Sequence, residues 1–268
     1  MGGDRCARCT LRANSVRSFT PPLCAIDADH PERAVDDALV SSGYSVLDRQ
    51  SMSALVGRPL PLEDWSLYWT DLPPDHYLRD GGRYRRRRYG CFVADDASLV
   101  HTERRSHWQP VEYNALHGGI ERWFEPLTPE LVDDAAWSAL LLSLSARASA
   151  LRGKERWFIE AHQFRIDTAD GIGRPTPEGA HRDGVDLVAV MLVARSNVRG
   201  GETRVFDADS PRGVRFTIEE PGTTILLDDE KVLHESTPIQ PTGATPGHRD
   251  TLVITLRADG FQGDRPSM

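Results

Sequence analysis

Three side chains in the C-terminal half have the types and spacing of a metal-binding set. In "PEGAHRDGVDLVAVMLVARSNVRGGE", residues 177–202, His181 and Asp183 stand one residue apart just before an apolar run. Alternate residues of an extended chain face the same side, so this pair can present an imidazole and a carboxylate toward one point. A carboxylate at the entrance to a buried strand needs a partner charge or a metal. His234, in "LDDEKVLHESTPI", follows 53 residues after His181, at the end of a strand-loop-strand passage that can bring it back beside the pair. Two histidines and one carboxylate form the facial triad that suits non-haem Fe(II) and leaves coordination positions open for catalysis. In "GHRDTLVITLRA", Arg249 and Thr251 flank one position at the start of another apolar run, so both can enter the same cavity. A guanidinium fork with a neighbouring hydroxyl suits a carboxylate. Arg249-x-Thr251 can therefore hold the far end of a dicarboxylate that chelates the metal, for which 2-oxoglutarate is the natural candidate.

The elements that must position these groups come next. From about residue 155 the chain breaks into short strand-type runs, "RWFIEAHQFRI", "VDLVAVMLVA", "ETRVFD", "GVRFTIE", "GTTILLD" and "DTLVITLRA", with no helical crossover between them. That pattern predicts an antiparallel sandwich or barrel. Upstream, "HPERAVDDALVSSGYSVLD" reads as a helix stopped by Gly43 and feeding a strand. In "TPELVDDAAWSALLLSLSARASALRG", Thr128 can cap, Pro129 suits the first helical position and Gly153 marks the stop. The expected organisation is a loose leader over 1–25, then a single domain over 26–268. In that domain a helical and mixed half, 26–154, packs on a β half, 155–260. The Gly200-Gly201 pair reads as a tight turn between strands.

Composition narrows the function classes. The net charge of −8 argues against a nucleic-acid partner, although "RYRRRRYG", residues 83–90, is locally basic. That run reads as a strand with alternating exposed arginines, some paired with acids such as Asp95 and Asp96. The chain shows no apolar stretch long enough to span a membrane and no secretory h-region, so the expected location is cytoplasmic. Cys6, Cys9, Cys24 and Cys91 do not make a disulfide framework, and the lone "CARC" lacks the second pair of a structural zinc site.

The segments "TPEGAHRDGVDLVAVMLVARSNVRGGETRVFD", "LLDDEKVLHESTPI" and "RDTLVITL", with "EYNALHGGIERWFEPL" and "HQFRI" upstream, resemble the 2-oxoglutarate/Fe(II) dioxygenase family that contains the bacterial free-amino-acid hydroxylases, such as L-isoleucine 4-hydroxylase. The likeness covers most of residues 80–258 and is weaker over the first eighty. It implies a mainly β fold with flanking helices around a double-stranded β-helix, or jelly roll. It also implies that His181, Asp183 and His234 are iron ligands and that Arg249 anchors 2-oxoglutarate. The expected cofactors are Fe(II), 2-oxoglutarate and O2, and the expected reaction is hydroxylation of an unactivated C–H of a free amino acid, with succinate and CO2 as co-products. Desaturation or ring closure is the alternative outcome; halogenation is disfavoured because Asp183 occupies the position a halide would need.

A free amino acid needs a grip on its carboxylate. On the strand 157–166, Gln163 and Arg165 share one side with Ala161, and Arg165 is the candidate grip, with pairing to a structural acid such as Asp167 or Asp186 as the competing reading. Tyr113 and Trp108 are candidate pocket walls, while His107, His117 and His162 read as structural or supporting groups. Two other functions compete: an oxygenase of a protein or nucleic-acid side chain docked through residues 83–88, and a β-sandwich binding module without metal. The expected partner is a small molecule, with neither nucleic acid nor membrane.

Overall fold

The computed structural model describes residues 20–27, 29–114 and 116–264. Most of the leader, with Cys6 and Cys9, lies outside the described residues. The first helix, α1 (Pro31–Ser42), has proline in its first turn and ends at Gly43, whose left-handed φ of 75° lets its N–H close on the Leu39 carbonyl. Strand β1 (Tyr44–Leu47) follows at once, then α2 (Arg49–Val56), capped by the Asp48 carboxylate, and the short α3 (Leu62–Leu67). Two strands come next, β2 (Arg85–Asp95) and β3 (Ser98–His101).

The long helical stretch expected over 128–152 divides in two. Thr128 makes no side-chain cap, and Pro129 opens a single turn, α4 (Pro129–Val132). Asp134 caps the long helix α5 (Ala135–Arg152) by accepting from the Ala136 N–H at 2.7 Å. A second capping carboxylate inside the run restarts the helix, and Gly153 ends it as expected. The remaining strands are β4 (Arg156–Asp167), β5 (Leu187–Ser196), β6 (Val198–Gly200), β7 (Glu202–Asp207), β8 (Gly213–Thr217), β9 (Thr224–Asp228), β10 (Val232–Ser236), β11 (Ile239–Pro241) and β12 (His248–Arg257).

The strands build a seven-stranded sheet in the order β1-β9-β5-β12-β4-β2-β3, a three-stranded sheet β10-β7-β8 and the pair β11-β6. Every strand pairing is antiparallel. The large sheet does not begin at residue 155: β1 and β2, from the half expected to be helical and mixed, are woven into it. The protein is thus mainly β, a jelly roll with flanking helices.

Strand periodicity gives each face of the large sheet its own task. On one face Trp157, Ile159 and Ala161 of β4, with Leu252, Ile254 and Leu256 of β12, meet Trp137, Leu140, Leu141 and Leu144 of α5. On the other, Val188 and Leu192 of β5 and Ile225 and Leu227 of β9 meet Val205, Phe216 and Val232 of the small sheet. Burial of these side chains stabilises the fold by about 1.5–3 kcal/mol each before entropy is charged against it. Toward one end of the space between the sheets the apolar filling stops and polar side chains line a cavity. No helix among the described residues is long and apolar enough to cross a membrane.

Candidate active site

The loop between β4 and β5 carries His181 and Asp183, and β10 carries His234. An isolated antiparallel bridge fixes the two histidines: His181 N–H donates to the His234 carbonyl at 3.1 Å and His234 N–H returns to the His181 carbonyl at 3.0 Å. One ligand atom from each of His181, Asp183 and His234 lies within 4.8 Å of the others, so the three residues can share one ion. His234 Nε2 is 3.2 Å from Asp183 Oδ2, and His181 Nε2 is 3.8 Å from Oδ1. The His181 Nδ1 lies 3.0 Å from the Gly179 carbonyl, which leaves Nε2 as the inward atom.

Asp183 is held from behind. The Asp229 carboxylate accepts from the backbone N–H groups of Asp183, Gly184 and Val185 at 3.0, 2.7 and 3.1 Å. Gln109 Nε2 donates to Asp183 Oδ1 at 3.2 Å, and Gln262 Nε2 donates to the Asp183 carbonyl at 2.6 Å. Burial pushes the Asp183 carboxyl up, but the His234 hydrogen bond and the charges of His181 and His234 prevail and hold it well below the usual carboxylate range. The site therefore presents an anion between two imidazoles, which is the donor set a divalent cation requires.

Arg249, Thr251, Val253 and Thr255 follow one another along the cavity face of β12. Arg249 is 2% exposed, and its Nε and Nη2 have no hydrogen-bond partner. Burial, then the neighbouring Arg195 charge, brings its pKa down to about 10, which still leaves it cationic at neutral pH. A buried guanidinium with two free N–H groups is costly unless an anion meets it. The Gly200-Gly201 turn makes room beside it: both residues have positive φ, 81° and 69°, and a Cβ on Gly201 would stand 3.2 Å from Arg195 Nη1 and 3.6 Å from Arg249 Cδ.

The candidates for gripping substrate lie elsewhere. Gln163 and Arg165 occupy the face of β4 opposite the cavity: Gln163 Nε2 donates to the Tyr68 carbonyl at 3.4 Å, and Arg165 forks onto Asp250 at 2.8 and 2.6 Å. The structural acid is Asp250, directly across the ladder, rather than Asp167 or Asp186. Tyr113 is 40% exposed and, with Trp108, lines a separate surface groove. Its ring covers Gly184, where a Cβ would come within 2.4 Å of it, so Tyr113 touches the Asp183 loop from outside.

The cavity instead takes the other phase of the strands. From β4 it receives Glu160, His162 and Phe164, and from β2 it receives Arg85 and Arg87. The arginines of "RYRRRRYG" do alternate, but Arg85 and Arg87 are buried, and their carboxylate is Asp75, not Asp95 or Asp96 at the far end of the strand. Arg85 Nε bonds Asp75 at 2.7 Å. Arg87 lies 3.8 Å from the centre of the Phe124 ring and bonds His162 Nδ1 at 2.6 Å. Glu160 accepts from the Tyr89 hydroxyl and contacts His107 Nδ1; burial pushes its carboxyl up to about 7. Arg122 completes this wall, donating from Nη2 to Gln109 Oε1 at 2.9 Å. The signal that could have found Arg85 and Arg87 is their phase, shared with Tyr89 and Cys91 on a strand that must bury one side.

Residues 66–255 match the 2OG-Fe dioxygenase family. The chain belongs to that family. This 2OG-Fe dioxygenase is therefore a non-haem Fe(II) enzyme that uses 2-oxoglutarate and O2. It is similar to a bsmA homolog from Methylobium petroleophilum, whose crystal structure superposes with a TM-score of 0.82 at 52% identity, covering 91% of this chain and 100% of that one. IDO from Bacillus thuringiensis shares the fold, with a TM-score of 0.68 at 18% identity over 90% of this chain and 99% of that one. L-isoleucine-4-hydroxylase of Bacillus thuringiensis is 24% identical over 184 residues, 65% of this chain and 75% of the relative.

Proposed function

We propose that this dioxygenase binds Fe(II) through His181, Asp183 and His234, holds the far carboxylate of 2-oxoglutarate on Arg249 and Thr251, and hydroxylates a free amino acid. The observation that carries the reading is the pair of partnerless N–H groups on buried Arg249, in the same cavity as the three ligand residues. The amino-acid substrate is supported by the relative that hydroxylates L-isoleucine. Bound together, Fe(II), 2-oxoglutarate and O2 supply the oxidant for a C–H bond, one oxygen atom going to the product and the other to succinate as CO2 leaves. The chain's own work is to aim that bond at the metal. The Asp229 carboxylate fixes the Asp183 backbone and the Gln109 amide its carboxylate, while Val190 and Val253 supply apolar lining in the same cavity. We extend the reading to one oxygenase domain over 26–268, because helices α1, α2 and α5 share a core with β4, β5 and β12.

Anaerobic Fe(II) titration with 2-oxoglutarate tests the site, since the chelate has a visible charge-transfer band. The wild-type protein should show the band, and His181→Ala or His234→Ala should abolish both it and succinate formation. Unchanged succinate formation in either variant would remove the triad. Substrate-dependent succinate release across the free amino acids then identifies the substrate. A product mass shift of about +16 signals hydroxylation, and one of about −2 desaturation or ring closure.

A further inference from the structure

Across β4 from Arg249 the cavity is lined by three more arginines. Arg85, Arg87 and Arg122 all line it, are all buried, and each keeps one buried N–H without a partner: Nη2 of Arg85, Nε of Arg87 and Nε of Arg122. Against them stand Asp75, which bonds Arg85 and approaches Arg87, and Glu160, which burial leaves half-protonated near neutral pH. Arg122 has only the Gln109 amide, and burial with the Arg85 charge lowers its pKa to about 10. Glu178 and Glu160 act on Arg122 only from a distance, and among the described residues no carboxylate pairs with it directly, the situation that calls for an anionic ligand.

Strand register separates this wall from the 2-oxoglutarate end. Arg249 and Arg85 both stand opposite Ile166, one on each side of β4. Two strand spacings put their Cα atoms about 10 Å apart, with the Ile166 side chain between. The cavity therefore has two cationic ends. Glu178, which lines the same cavity beside a ligand residue, has its Oε2 buried without a partner and its Oε1 3.8 Å from His181 Nε2.

We infer that Arg85 and Arg122 form a second carboxylate clamp, which takes the α-carboxylate of an amino-acid substrate while Glu178 accepts its ammonium group. The inference rests on the proposed function and adds the orientation of the substrate. Arg87, stacked between Phe124 and Phe164 and tied to His162, is a positioning residue behind the clamp. The Gln109 side chain joins the two halves of the site, since its Oε1 accepts from Arg122 while its Nε2 donates to Asp183.

The test uses the full-length protein under anaerobic conditions with Fe(II) and 2-oxoglutarate. Each free L-amino acid and its α-carboxamide is titrated while the charge-transfer band is followed. A free amino acid should perturb the band, and its carboxamide should bind at least tenfold more weakly. Arg85→Gln and Arg122→Gln should each weaken that amino acid at least tenfold, with 2-oxoglutarate affinity changed less than threefold. Glu178→Gln should weaken the amino acid but not the matching desamino acid. Should Arg85→Gln fail to fold, Arg85→Lys, which keeps charge but loses the fork, is expected to weaken binding by a smaller factor.

Unaltered amino-acid binding in both arginine variants overturns the clamp and leaves the oxygenase reading intact. A tenfold loss of 2-oxoglutarate affinity in both would reassign these arginines to the co-substrate. A wild-type protein that forms the band but binds no amino acid overturns the clamp together with the amino-acid substrate. Absence of the band in the wild type defeats the proposed metal site itself, and the clamp with it.

Discussion

Arg165 and Arg249 sit on neighbouring strands at the same end of the large sheet, yet the fold treats them oppositely. Arg165 faces the helix-covered side and closes on Asp250 with two charge-assisted bonds, 2.8 and 2.6 Å long. Arg249 faces the space between the sheets and is left with two buried N–H groups unmet. The same contrast repeats along β2, where Arg86 and Arg88 reach backbone carbonyls on the outside while Arg85 and Arg87 enter the cavity. One face pairs its charged groups with protein partners and is structure. The other leaves charge for something else to complete, and that incompleteness marks the site more reliably than residue type does.

The largest effect that would break this comparison is on Arg249. Arg249→Ala removes a buried donor pair and should weaken 2-oxoglutarate by about 2–4 kcal/mol, roughly thirty- to a thousandfold in dissociation constant. Arg249→Lys should fall between, since charge survives without the planar fork. Calorimetric titration of 2-oxoglutarate in the metal-loaded protein measures both. A change below threefold in the alanine variant would mean that the unpartnered arginine is not the anchor.

Arg165→Ala should do the reverse. Its loss leaves the Asp250 carboxylate, 1% exposed, without its cation, and the expected cost is on the order of 2–3 kcal/mol of stability. For a chain of this size that is a fall in Tm of about 4–5 °C. Co-substrate affinity should move by less than threefold. Thermal unfolding and calorimetry together separate the two arginines, and loss of binding without loss of stability would show that Arg165 belongs to the site.

Much of this was legible in the sequence because period-two alternation is a strict rule. His181 and Asp183, Arg249 and Thr251 each share a side because they are two residues apart, and the cavity includes all four. His234 was placed by strand count, and its ladder with β7 and its bridge to His181 supply the return path. What alternation does not reveal is which of two faces is the inside. On β4 both phases hold polar residues, Glu160 and His162 on one and Gln163 and Arg165 on the other, so the pattern names two candidate walls and no winner. The deciding facts are long-range: Asp250 opposite Arg165, and Tyr68 opposite Gln163, each fixed by a partner 85 or 95 residues away. The "RYRRRRYG" run misleads for the same reason, since Asp75 reaches Arg85 by way of a loop and not along the strand.

Glu160 gives a smaller effect and sharpens the contrast through pH. Its carboxyl holds a proton up to about pH 7 in the fold, against 4.5 for the ordinary group. Across that window the native chain binds more protons than the unfolded one, so stability falls as pH rises. Between pH 5 and 7 the loss should be about 2 kcal/mol from this residue. Glu160→Gln keeps an acceptor for the Tyr89 hydroxyl and removes the titration, so its stability should vary less with pH by that amount. Urea unfolding of the metal-free protein at pH 5, 6 and 7 gives the difference, and parallel profiles for the two proteins would contradict the assignment.

The smallest effect is expected on the outward arginines. Arg86 is 44% exposed, with Asp167 at 3.7 Å, and Arg88 reaches only the Asp71 and Pro126 carbonyls, at 3.3 and 3.2 Å. Contacts of this kind contribute about 0–1 kcal/mol, because solvent screens them and two long side chains must be held still. The double variant Arg86→Gln, Arg88→Gln should therefore keep its unfolding midpoint within about 3 °C of the wild type. Its turnover of any free amino acid found to be a substrate should also be unchanged. Arg85 lies one residue from Arg86 and Arg87 lies between the two changed positions, so the experiment holds sequence neighbourhood constant and varies only the face. If turnover of the free amino acid fell tenfold in this variant, the outer face of the basic run would be supporting the small-molecule site, which counts against a docking role for it, and the division between the two faces would not hold on β2.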